Sequence, residues 1–198
     1  VQNTLFKLPR YLLEESSEIF RDMFLLPTTE GVSCDGSSDE QPLILEGVRK
    51  EHFRLLLKAM KFPVEFASRL PMLWNEWAAV LELSCMWQMV KIRENTIQVL
   101  SRVLRPVKRI QLGIQLKVDS WLLEGYRELI QARGGISMED EEILGWGTTV
   151  KLFRIREEYL KMGTQRHRSP TYLNDFATNK IKEVFAEELK DAAWRTSR

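Results

Sequence analysis

The sequence predicts an α+β fold, a small sheet covered by helices and followed by an all-helical extension. Three observations predict it. Two short apolar runs, residues 5–8 and 43–45, are bounded by turn residues and read as strands. Between and after them, apolar side chains recur at helical spacing. Beyond Pro106 every periodic stretch is helical. The expected organisation is a sheet-containing domain over residues 1–104, a helical extension over 105–162, a linker over 163–171 and a C-terminal amphipathic helix over 172–198.

Residues 5–8 turn at Pro9 into a helix reaching Phe24. Its spacing puts Leu13, Ser17, Phe20 and Phe24 on one face, with Glu14, Glu15, Glu18, Arg21 and Asp22 largely on the other. Residues 28–42 are rich in Ser, Gly, Asp and Glu and have too little apolar surface to offset the entropy of ordering, so they read as a flexible loop. The run at 43–45 ends at Glu46-Gly47. A helix over residues 50–60 follows, carrying Phe53, Leu56, Leu57 and Met60, and Lys61-Phe62-Pro63 stops it. Residues 73–104 are helical and rich in aromatics: Trp77, Val80, Leu81, Ser84 and Trp87 share a face. A break is expected near residues 90–92, and the second helix would bury Ile97, Leu100, Val103 and Leu104.

In the extension, Val118, Trp121, Leu122, Tyr126, Leu129 and Ile130 make one apolar stripe, stopped by Gly134-Gly135. Ser137 with Asp140 reads as a helix-capping box, the acidic run 139–142 favours the positive end of the helix dipole, and Gly145 ends that helix. Thr148 is placed to cap the next, with Leu152, Ile155 and Tyr159 inward. The last helix, residues 172–194, carries Leu173, Phe176, Ile181, Val184, Phe185 and Leu189 at helical spacing.

The totals exclude several function classes. Apolar content of 44% and charged content of 29% are those of a soluble globular chain. A net charge of +1 carries no nucleic-acid signature. Cys34 and Cys85 are too few for a disulfide framework, which favours an intracellular compartment, cytoplasmic or nuclear. No apolar run approaches the ~18 residues of a membrane span, and no signal-peptide pattern precedes the first strand.

With these residues in view, the opening stretch resembles the BTB/POZ domain, whose pattern runs Phe-x-Val-His-x-x-x-Leu-x-x-x-Ser-x-x-Phe-x-x-Met. Phe6, Leu8, Pro9, Leu13, Ser17, Phe20 and Met23 fall on it without a gap, with Leu8 for Val and Pro9 for His. Leu45, Val48, Phe53, Leu56 and Leu57 are similar to the family's second block, and the run from Trp77 to Leu100 looks most like BTB proteins of mushroom-type fungi. The family has a strand before the Phe-containing one, and this chain carries only its successor. The resemblance implies homodimerisation through that strand and the first helix, and adaptor function on a cullin ubiquitin-ligase scaffold.

Chemistry has little to build on. A catalytic cysteine needs a base, and only His52 and His167 are available, neither placed by any local pattern beside Cys34 or Cys85. Zinc-type spacing is missing, and Gly134-Gly135 and Gly145-x-Gly147 read as helix stops rather than phosphate loops. The reading is therefore a non-enzymatic protein–protein interaction module with no cofactor and no metal. Its partner is a protein, self-association through the first helix foremost and a cullin second, with no membrane contact. The candidate interface is Tyr11, Leu12, Glu15, Ile19 and Met23, in which Leu12 and Ile19 are spare apolar residues seven apart. Periodicity alone fits equally well their merely widening the core stripe. The alternative is a transcription- or chromatin-associated module touching nucleic acid through Lys161, Arg166, Arg168, Lys180 and Lys182.

Overall fold

A computed structural model describes residues 1–26, 36, 38–61, 71–164 and 169–193. Among these the chain is all-helical, 73% helix with no strand, so the α+β expectation is overturned. Residues 5–8 and 43–45 are non-helical, with no residue at positive φ, and form no backbone ladder among the described residues. Their strand-like alternation is real, because Phe6 and Leu8 turn inward while Leu5 and Lys7 face solvent. A three- or four-residue apolar run specifies an extended backbone and one buried side. It does not by itself specify a neighbour to bond.

The chain divides into two compact units, Val1–Val103 and Leu104–Arg198. The first holds α1 (Arg10–Ser16), α2 (Glu18–Leu25), α3 (Lys50–Lys61), α4 (Trp74–Met86) and α5 (Val90–Val103). The single helix expected up to Phe24 is broken at Ser17, whose backbone is extended (φ −145°, ψ 126°). Its hydroxyl accepts from the Phe20 N–H, capping α2, and donates to the Trp87 carbonyl. A side chain able to serve a helix end and a distant acceptor at once competes with continuation of the helix. The consequence is large. A straight helix would separate Arg10 from Phe24 by about 21 Å, yet the Arg10 guanidinium lies 4.5 Å from the centre of the Phe24 ring and donates to its carbonyl. The helices α1 and α2 form a folded-back pair.

The core of this unit is a chain of aromatic rings. Phe6 meets Phe53 edge-on at 4.9 Å, Phe53 meets Trp87 at 5.9 Å, and Trp87 meets Phe20 at 5.2 Å. Trp87 ends α4 and stands at the centre. The break expected near residues 90–92 lies at 87–89: the Met89 N–H bonds the Ser84 carbonyl and the Gln88 N–H the Cys85 carbonyl, closing the helix with Gln88 left-handed at φ 51°. In α5 Leu100 is buried, but Val103 is exposed and Arg93 and Thr96 lie inside instead.

The second unit holds α6 (Pro106–Leu116), α7 (Asp119–Gln131), α8 (Met138–Leu144), α9 (Trp146–Gly163), α10 (Pro170–Val184) and α11 (Ala186–Asp191). The stripe from Val118 to Ile130 is buried throughout. Its members Leu122, Tyr126, Leu129 and Ile130 pack with Leu152 and Ile155 of α9 and with Ile181 and Phe185 near the C-terminus, Tyr126 stacking on Phe185 at 4.2 Å. The C-terminal helical segment is thus part of this core, bent at Phe185 into α10 and α11. Helices α6 and α7 meet through glycine: a Cβ on Gly125 would lie 2.6 Å from Ile110 Cγ1, and one on Gly113 2.5 Å from Leu122 Cδ1. Buried Arg109 is held by Glu124, Glu128 and the Leu104 carbonyl. The Ser137–Asp140 capping box is present. Gly145, not Thr148, precedes the first residue of α9, because its φ of 78° lets one residue end α8 and begin the next helix.

Candidate protein-interaction surface

Two features of the first unit offer apolar surface to a partner. One is the outward side of the α1–α2 pair. Tyr11, Glu15 and Ile19 are exposed, and Leu12 and Met23 are half-buried. Because the break at Ser17 lies between them, Leu12 and Ile19 belong to different helices, and their seven-residue spacing no longer places them on a common side. Leu25 and Leu26, at the end of α2, are exposed as well. The fold-back is pinned by Arg10, which also pairs with Glu14 at 2.6 Å, and by Arg21, which donates to the Glu14 carbonyl.

The other is a cleft of about 880 Å³ bounded by the N-terminal segment, residues 42–48, α1, α2 and α3. Its apolar lining includes Phe6, Leu8, Leu13, Phe24, Leu43, Leu45 and Phe53. At its rim Lys7 and Asp39 form an ion pair of 2.6 Å. Lys7 and Arg10 are set against Asp39 and Glu46, so neither sign dominates the mouth. A sequence reading could not find this cleft, since it depends on where two unpaired extended stretches come to rest. The signal available was their shared alternation.

The remaining candidates are dispersed. Burial pushes the Cys85 thiol up, partly offset by a hydrogen bond from Arg93, which is opposite to the activation a nucleophilic cysteine requires. His52 is half-buried on α3, and Cys34 and His167 lie outside the described residues. Among the described residues no three His, Cys, Asp or Glu side chains converge as metal ligands, and no helix is long and apolar enough to cross a membrane. In the basic segment, Lys161 pairs with Glu157 at 2.7 Å and Lys180 with Glu183 and Glu158 at 3.3 and 3.7 Å. Arg166 and Arg168 lie outside the described residues, as do most of the expected loop at 28–42, the Phe62-Pro63 helix stop and Trp194. Trp146 lies between two glycines in sequence, which singles it out among the tryptophans for exposure although a core position is the favoured expectation, and it is 73% exposed at the start of α9.

Compared with known proteins, the chain matches no family model, no curated protein and no solved structure.

Proposed function

We propose that the chain is a non-enzymatic protein–protein interaction module that self-associates through the α1–α2 pair. The observation that supports this best is the exposure of large apolar side chains on a short folded-back element: Tyr11 is 55% and Ile19 38% exposed, and Leu25 and Leu26 are exposed at its end. Tyr11 supplies an aromatic anchor, Ile19 an aliphatic one, and Glu15 a polar group at the rim that sets orientation. Leu12 and Met23, half-buried, are the less accessible members of the set.

The test is the mass of the Ile19→Asp variant in solution, measured by light scattering over a range of concentrations. The parent is expected to exceed the 23.3 kDa of one chain and the variant to return toward it. A monomeric parent, or a variant with the parent's mass distribution, overturns the reading.

A further inference from the structure

We propose that the cleft of the first unit binds an extended, uncharged segment of a partner protein by adding a strand to one of its two unpaired extended stretches. This rests on the reading of the chain as a protein-interaction module, but not on self-association through α1 and α2.

Three observations carry it. The backbone N–H groups of residues 5–8 and of residues 43–45 donate to no other described residue. Both stretches line the same cleft. Both alternate as strands do: Phe6 and Leu8 are turned inward between outward Leu5 and Lys7, and Leu43 and Leu45 flank Ile44, which is 72% exposed. Neither stretch is helical, neither has a residue at positive φ, and both carry the side-chain pattern of strands, while among the described residues neither forms a backbone ladder. An edge of free N–H and C=O groups is a template for another extended chain. Peptide recognition by strand addition takes its affinity from main-chain hydrogen bonds and its selectivity from pockets for alternate side chains.

The cleft meets both needs. Its volume of about 880 Å³ lies in the upper part of the range of roughly 300–1,000 Å³ usual for binding cavities. Phe6, Leu43 and Phe53 give alternate side chains of the occupant an apolar floor. The rim charges are balanced in sign and Lys7 is already paired with Asp39, so a charged occupant gains no compensating field and would lose hydration on entry. That selects an uncharged segment, apolar at every second residue. The Lys7–Asp39 pair is solvent-exposed and so opposes entry only weakly.

The probe is a fluorescein-labelled peptide of eight residues alternating valine and threonine, added to the full chain. A second peptide of the same sequence is N-methylated at alternate backbone nitrogens, which deletes the donors of one edge. Saturable anisotropy is expected for the first, with binding at least tenfold weaker for the second. Hydrogen exchange should show amides of residues 5–8 or 43–45 slowed at saturating peptide, and unchanged with the methylated one. Leu43→Asp should weaken binding at least tenfold, and the exchange result on the parent stands even where that variant misfolds. No saturable binding, or binding without slowed exchange in either stretch, overturns the proposal. Equal binding of the methylated peptide also overturns it, assigning the cleft to purely apolar occupants. Self-association lost in Ile19→Asp with peptide binding intact, or the reverse, separates this failure from that of the α1–α2 interface.

Discussion

The two units bury their apolar surface by different means. The second closes helix on helix: an unbroken stripe on α7, glycine contacts to α6, and α9, α10 and α11 laid over Tyr126. The first gathers residues distant in sequence around one ring, with Phe6, Phe20 and Phe53 meeting directly or through Trp87. Among the described residues it also leaves two non-helical stretches without backbone partners, beside a cleft that both line. A helix satisfies its own backbone, so packing its apolar stripe can complete a unit. An extended segment needs a neighbour for the same purpose. The difference marks the first unit as the one with binding capacity still open.

The largest expected effect comes from removing the central ring. Trp87→Ala deletes two edge-on contacts and leaves a cavity, at a cost of about 3–5 kcal/mol. Segment-resolved hydrogen exchange should show protection lost in α2, α3 and α4 while α7 and α9 keep theirs. Equal loss in both units would erase the distinction.

Next comes the glycine contact of the second unit. In Gly125→Ala the new methyl meets Ile110 and the Pro106 carbonyl, an overpacking cost of about 1–3 kcal/mol that exceeds the gain of up to ~1 kcal/mol in helix propensity. In Gly147→Ala nothing lies within 4 Å of the added methyl. That variant should be neutral or more stable, and urea titration of the pair reads both signs.

Ser17→Ala tests the break that folds α1 back on α2. Losing the cap and the bond to the Trp87 carbonyl should cost about 1–2 kcal/mol by urea titration. A cost near zero would mean that the Arg10 and Arg21 contacts hold the fold-back without the serine.

The smallest effect is one of pH. Partial burial acts to raise the Glu188 carboxyl, but a hydrogen bond from Lys151, one from its own backbone N–H and the Lys151 charge together outweigh that and hold it below the usual carboxylate value. A carboxyl lowered on folding contributes stability above its unfolded pKa of ~4.3, and the contribution is lost as pH falls through the lowered value. The pair is largely solvated, so the effect is well under about 1 kcal/mol. Lys151→Met should flatten this part of the acid limb in thermal melts taken from about pH 5.3, roughly one unit above that pKa, downward through the lowered value. An unchanged slope would show that the pair contributes nothing.

The sequence alone determined the helices whose apolar stripes repeat over several turns. The stripe from Val118 to Ile130, the capping box at Ser137 and the inward set Leu13, Ser17 and Phe20 were legible because helical periodicity and capping are local properties. The exposure of Tyr11, Glu15 and Ile19 on the first two helices agrees with the outward face expected of them, while Leu12 and Met23 are half-buried. The geometry of that face was not legible, because a serine that continues a helix and one that breaks it have the same spacing in sequence. Only the Trp87 carbonyl, 70 residues away, distinguishes them. The exposure of Trp146 and the burial of Arg93 and Thr96 were likewise decided by tertiary packing. So was the fate of the two apolar runs. Alternation along residues 5–8 and 43–45 determines an extended backbone with one buried side, but pairing is a relation between segments, and the fold brings both to one cleft without joining them.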